Sequence, residues 1–186
     1  MPPISPGPGL PGASPESPKP AGRVIWITGL SGAGKTTLGK ALQGALPGSV
    51  LLDGDALRDV LGVASSGFDR ENRLGLALTY ARFAKLVAEQ GLTVIVATIS
   101  LFHEIHTWNR GNLPGYVEVF LDIPLEICRE RDPKGLYAGQ KLETAPQMAG
   151  AGVEINFPQA PDVRVDSKAS TCEAVAGILQ RLQHKG

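Results

Sequence analysis

The run GLSGAGKTTL at residues 29 to 38 sets Gly29, Gly34, Lys35 and Thr36 at the fixed places of the spacing GxxxxGK[ST]. Each residue type there has a chemical use. Glycines let the chain curl so that the N–H groups of residues 30 to 36 wrap a β-phosphate at the positive end of a following helix. Lys35 can reach the β- and γ-phosphates as a mobile charge, Thr36 can offer its hydroxyl to Mg²⁺, and Thr37 falls near the α-phosphate. A turn that merely packs a strand on a helix would not need Lys and Thr at those two places. The loop therefore predicts a site for ATP and Mg²⁺, with Gly29, Leu30, Ser31, Gly32, Ala33, Gly34, Lys35, Thr36 and Thr37 around the phosphates.

A bound triphosphate needs something to receive its phosphoryl group. LLDGDALRD, residues 51 to 59, sets Asp53 and Asp55 either side of a glycine as an apolar run ends. If the chain stays extended there, both carboxylates face one side, one organising the metal's water and the other accepting a hydroxyl proton. Arg58 follows one helical turn later. A solvated turn is the ordinary reading of DGD, and the phosphate loop favours the chemical one. A GTPase would carry an NKxD-like base reader, which the sequence lacks. A motor ATPase would be longer and would carry Glu after the strand-ending Asp, whereas the run 117 to 122 ends in Asp122 and Ile123. A small nucleotide or metabolite kinase fits better.

The elements that must position these residues can be read from periodicity. RVIWIT (23 to 28), VLLD (50 to 53), TVIVATIS (93 to 100), YVEVFLD (116 to 122) and VRVD (163 to 166) read as strands, the last edge-like. Helical spacing of Leu38, Leu42 and Leu46 follows the loop. From Asn72 to Gln90, Leu76, Tyr80, Phe83 and Val87 are predicted to share one helical face, with Gly91 as the stop. PLEICRER (124 to 131) opens with Pro at a helix start, and Ser170 with Glu173 three places on predicts a capped final helix. Strands alternating with helices imply an α/β domain in three layers with a mainly parallel sheet.

Residues 1 to 22 are largely Pro, Gly and Ser and are expected to form a disordered tail. Residues 23 to 186 then make one domain. Eighteen basic residues balance eighteen acidic ones, which argues against broad electrostatic binding of nucleic acid. No apolar stretch approaches the length that spans a bilayer, and the start of the chain lacks a secretory pattern, so a cytoplasmic location is expected. Cys128 and Cys172 form no metal pattern and are expected to be free, mostly buried thiols. His103 and His106 have no third ligand at metal spacing, and Trp108 reads as a core residue or a stacking surface for a base.

GLSGAGKTT, LDGD with Arg58, GF at 67 and 68, ATIS at 97 to 100 and, above all, RDPKGLY at 131 to 137 together resemble the adenylylsulfate kinase family, over about Val24 to Asp166. The resemblance implies the P-loop kinase fold and MgATP-dependent phosphorylation of the 3′-hydroxyl of adenosine 5′-phosphosulfate. It implies Asp55 as base, with Asp53 and Thr36 holding Mg²⁺ partly through water. Arg58, Phe68, Arg73, Ile99 and Ser100 would line the acceptor nucleotide, together with Lys134, Gly135 and Leu136 from a lid at about 132 to 155. Lys35, Arg129 and Arg131 would supply cations around the moving phosphoryl group. Family members are often dimers, so the resemblance allows a homodimer.

Several family positions differ. The family's Asn and tandem Arg fall on Leu76, Leu78 and Thr79, and its Asn after DGD is Ala56. The basic cluster after GLY thins to Lys141, an aromatic near the adenine is Met148, and GIDDPYE becomes GAGVEIN. FDRENRL and ATISLFHEIHTWNR look more like a subgroup that phosphorylates cytidine diphosphoramidate. Adenylylsulfate is the first expected acceptor and cytidine diphosphoramidate the second. A non-catalytic nucleotide-binding regulatory protein is a further reading, against which Asp53 and Asp55 both speak.

Overall fold

The computed structural model describes residues 22–63, 70–131 and 155–184. Along these, strands and helices alternate: β1 (Arg23–Gly29), α1 (Lys35–Ala45), β2 (Val50–Asp53), α2 (Gly54–Leu61), α3 (Arg70–Ala88), β3 (Thr93–Ala97), α4 (His103–Asn112), β4 (Val117–Asp122), α5 (Leu125–Arg131), β5 (Val163–Asp166) and α6 (Thr171–His184). The five strands form one sheet in the order β2-β3-β1-β4-β5, and every pairing is parallel. Alternation along β1 sends Ile25 and Ile27 into one core with Leu38, Leu42 and Ile178. Val24 and Trp26 go into another with Tyr80, Ala84 and Ile105. With helices on both faces, the central strands must be apolar throughout, which is why they read as unbroken runs.

The structure departs from the sequence reading in several elements. α3 does not bury Phe83, which is 45% exposed, but a stripe of Ala77, Tyr80, Ala81, Ala84 and Ala88. Small side chains let the helix lie close to the sheet, where a phenylalanine would hold it off. β3 stops at Ala97 rather than residue 100. The Thr98 N–H still donates to the Ile27 carbonyl of β1 at 3.0 Å, but Ser100 takes a positive φ of 30° and the Thr28 hydroxyl donates to the Ile99 carbonyl, so the chain leaves the ladder after Thr98. Cys128 is buried but Cys172 is exposed. Finally, the described fold includes Gly22, whose N–H donates to the Ala88 carbonyl at 3.0 Å. The other tail residues, 1–21, lie outside the described residues.

The final helix starts as expected. Ser170 N–H donates to Glu173 Oε2 at 2.8 Å and Glu173 N–H donates to Ser170 Oγ at 3.2 Å, the reciprocal capping box. No helix among the described residues is long and apolar enough to cross a membrane.

An ion cluster ties the layers together behind the sheet. Glu118 of β4, 1% exposed, bonds His106 Nδ1 at 2.7 Å, Arg110 at 2.8 Å and the Tyr116 hydroxyl at 3.0 Å. Its own N–H donates to Asp162 at 2.9 Å, and Arg181 of α6 donates to the same carboxylate at 2.8 Å. Burial, and then the Glu118 charge, push the Tyr116 phenol well above its ordinary range, so it remains a donor. The cluster joins α4, β4, α6 and the segment 155–162.

Candidate active site

In a sheet whose strands all run one way, every segment that leaves a strand's carboxyl end arrives at the same edge. A cavity of about 760 Å³ opens there, within the range that takes a small ligand. Its walls are residues 31–38 after β1, Asp53, Gly54, Asp55 and Arg58 after β2, and residues 97–99 at the end of β3. Ile123 and Arg131 close it after β4, and residues 165–167 with Ala169, Thr171 and Ala174 do so around β5.

The phosphate loop is shaped by short local bonds. Ala33 N–H donates to the Leu30 carbonyl at 3.2 Å, and Lys35 Nζ donates to the same oxygen at 2.6 Å. Gly32 has a φ of 77°, and a Cβ there would lie 2.6 Å from the Cys128 carbonyl oxygen. The loop is thus wedged against the backbone of α5. α1 begins at Gly34 with no side chain capping its first turn, so the partial positive charge of that turn is open to an anion in the cavity.

Asp53 performs two tasks at once. Its Oδ1 accepts from Asp55 N–H at 2.9 Å, capping α2. Its Oδ2 accepts from the Thr36 hydroxyl at 2.6 Å. Two hard oxygens therefore converge beside the phosphate loop, a donor set that suits Mg²⁺, which takes one or two protein oxygens and completes its shell with water and phosphate. Among the described residues no group of three or more His, Cys, Asp and Glu could hold a metal alone.

The chain does not stay extended through DGD, as the sequence reading supposed. Asp55 lies in the first turn of α2, which the sequence reading also missed. Its carboxylate points along the helix to Arg58, with which it forms an i,i+3 ion pair, the two side chains 44% and 31% exposed. Both line the cavity. Partial burial, and then the like charge of Arg58, push the Arg73 guanidinium down from its ordinary value. Arg73 thus lies near Arg58, and Arg58 in turn is the partner of Asp55.

Of the residues expected at the site, Ser31 to Thr37, Asp53, Asp55, Arg58, Ile99 and Arg131 line the cavity. Gly29 ends β1 and Leu30 follows it, buried, and neither is on the cavity wall. Ser100 is buried, its hydroxyl sharing a hydrogen bond with Thr98 Oγ1 at 3.1 Å. Arg73 and Arg129 are not brought to the cavity wall. Phe68, Lys134, Gly135 and Leu136 lie outside the described residues, as do Met148 and residues 132–154 of the expected lid. Leu76 and Leu78 pack against the second core, and the Thr79 hydroxyl donates to the Gly75 carbonyl at 3.0 Å. His106 is engaged by Glu118 and the Asn156 carbonyl, and Trp108 packs partly buried on the core.

Sequence reasoning missed Thr98, Ile123, Asp166, Ser167, Ala169 and Thr171. The available signal was topological: with parallel strands, the residues after each strand share one edge, so those following β4 and β5 belonged on the list.

Known proteins are similar to this chain over most of its length. The family model described as adenylylsulphate kinase matches residues 21–166. A cytidine diphosphoramidate kinase of Campylobacter jejuni is 40% identical over 141 residues, covering 74% of this chain and 82% of that protein. An adenylyl-sulfate kinase of Pseudomonas aeruginosa is 40% identical over 168 residues, covering 86% of this chain and 85% of its own. The structure of the Mycobacterium tuberculosis APS kinase in complex with AMPPNP and APS superposes with a TM-score of 0.77 at 32% identity, over 88% of this chain and 99% of that one.

Proposed function

The chain belongs to the adenylylsulphate kinase family, and we propose that within it the protein transfers the γ-phosphoryl group of ATP to the ribose 3′-hydroxyl of adenosine 5′-phosphosulfate. The observation that carries this reading is the Asp55–Arg58 pair, a carboxylate held by its own helix on the wall of the cavity that the phosphate loop opens into.

A ribose hydroxyl is a poor nucleophile, so the transfer depends on positioning and on cations around the moving group. Lys35 and the first turn of α1 hold the β- and γ-phosphates. Arg131, on the cavity wall, adds positive charge from the opposite side. Asp55 accepts the hydroxyl proton as the oxygen attacks, and Arg58 fixes the carboxylate's direction. Thr36 and Asp53 would hold Mg²⁺, which would supply positive charge against the negative charge that develops during transfer.

A second acceptor, cytidine diphosphoramidate, is favoured by the packing of Leu76 and Leu78 into the second core. Those side chains supply no charge to an acceptor, so on this flank the described cavity wall offers the cation of Arg58 alone. The relative from Campylobacter jejuni supports the same alternative.

An assay coupling ADP release to absorbance, run with each nucleotide as acceptor, separates the two readings. Turnover with adenosine 5′-phosphosulfate upholds the first, and turnover with cytidine diphosphoramidate alone upholds the second. Silence with both leaves the non-catalytic reading. With either acceptor, Asp55→Asn should lower kcat by roughly 10²–10⁴ while ATP still binds, and an unchanged kcat would remove Asp55 from the mechanism.

A further inference from the structure

Tyr80 is the one large side chain in the alanine stripe that α3 presses onto the second core, and it is 2% exposed. A phenylalanine would fill the same space. The hydroxyl has a different use: it donates to the Gly54 carbonyl at 3.3 Å, in the peptide between the two site carboxylates. On the other side of that peptide there is no slack. A Cβ on Gly54 would meet the Ala97 carbonyl oxygen and Thr98 Oγ1, each at 3.3 Å. Thr98 is itself bonded to Ser100, whose backbone sits in the left-handed region. The DGD turn is therefore gripped between the phenol of α3 and the carboxyl end of β3.

The grip reaches the ion pair as well. The Arg58 side chain lies against the same phenol, and Arg58 is the partner of Asp55. We propose that Tyr80 is a positioning residue for phosphoryl transfer, fixing the Asp53–Gly54–Asp55 turn through its hydrogen bond to Gly54 and thereby setting where Asp55 and Arg58 stand relative to the phosphate loop. The assignment rests on the reading of Asp55 as the base. Burial pushes the phenol above its ordinary value, so it keeps its proton and its donor role at working pH.

Removing this one hydroxyl alters position without altering charge. A misplacement of about 1 Å in a transfer reaction can cost a factor of about 100, and loss of a single tether should permit a fraction of that. Tyr80→Phe is expected to lower kcat roughly tenfold, with a smaller change in the KM for ATP, because Lys35 and the glycine turn of the phosphate loop keep their own bonds. A role in packing alone would leave kcat as in the wild type, since the ring is retained.

Wild type, Asp55→Asn and Tyr80→Phe are compared in the ADP-release assay with the acceptor that the wild type uses. Turnover retained in Asp55→Asn removes the base, and with it the Tyr80 assignment. An inactive Asp55→Asn beside a Tyr80→Phe of wild-type kcat overturns the Tyr80 assignment alone. A wild type silent with both acceptors removes both. Should Tyr80→Phe fail to fold, Gly54→Ala moves the turn from the opposite side by a few tenths of an ångström. It should show a fall in kcat larger than any change in the KM for ATP, and an unchanged kcat there overturns the proposal.

Discussion

Replacing Glu118 with Gln removes a charge from the centre of the ion cluster while keeping the side chain's shape. The carboxylate is 1% exposed and is bonded by His106 and Tyr116 at one oxygen and by Arg110 at the other. Gln offers a single acceptor oxygen, so its amide nitrogen must face a donor on one side or the other. Turned to Arg110, it loses one charge-assisted bond, about 1.5–3 kcal/mol; turned to His106 and Tyr116, it loses two bonds. Breaking one side of a buried pair costs about 3–5 kcal/mol. Here Arg110 is 45% exposed and keeps the Ala160 carbonyl at 3.0 Å, which places the loss at the low end, about 3 kcal/mol. Each kcal/mol moves Tm by about 2–4 °C in a domain of this size, so Tm should fall by about 6–12 °C. Thermal denaturation followed by tryptophan fluorescence at neutral pH reads the shift directly. The double variant with Arg110→Ala should lose less than the sum of the two single variants, because both remove the same bond. A Tm change below about 2 °C, or strict additivity, would refute the view that this cluster supports the fold.

Three further outcomes follow from local geometry. Gly32→Ala forces a side chain into a φ of 77° and against the Cys128 carbonyl, a strain of about 1–3 kcal/mol; loss of ATP affinity in a fluorescent-analogue titration is expected, and unchanged binding would show that the loop can shift. Asp53→Ala removes a helix cap, at about 1 kcal/mol, together with the carboxylate oxygen that converges with the Thr36 hydroxyl; a Mg²⁺ titration of the ADP-release assay should move to higher concentration. Glu173 is held below its ordinary range by its bonds to the Ser170 backbone and hydroxyl. A depressed carboxylate adds stability above its unfolded value and loses it as pH falls through the folded one. The Tm difference between wild type and Glu173→Gln should therefore be present at about pH 7 and vanish at about pH 2.

The phosphate loop was legible because its geometry is almost wholly local: glycine, lysine and threonine positions follow from the turn itself. Asp53 and Asp55 were legible as a pair but not in their conformation. Their sequence carried the missing signal, since Asp53 precedes a helical stretch closed by Gly62 at a φ of 63°, which is the ordinary start and stop of a short helix. α3 was read by hydrophobicity, and the fold chose by volume, burying alanines and leaving Phe83 outside. The Glu118 cluster was beyond reach, because its partners come from four separate segments and His106 to Asn156 alone spans 50 residues. Tyr80 looked like one more core aromatic until its hydroxyl was found on Gly54.

The strand order also divides the labour of the cavity. β1 carries the phosphate loop in the middle; β2 and β3 stand to one side with Asp53, Asp55, Arg58 and residues 97–99, while β4 and β5 stand to the other with Ile123, Arg131 and residues 165–167. Changes confined to the β2–β3 flank that keep Asp53, the partner of Thr36, can re-tailor one wall and leave the opposite wall in place. Such an architecture is modular: one wall can be exchanged through the two neighbouring strand-to-helix connections that follow β2 and β3, while β1 keeps the phosphate loop in the middle.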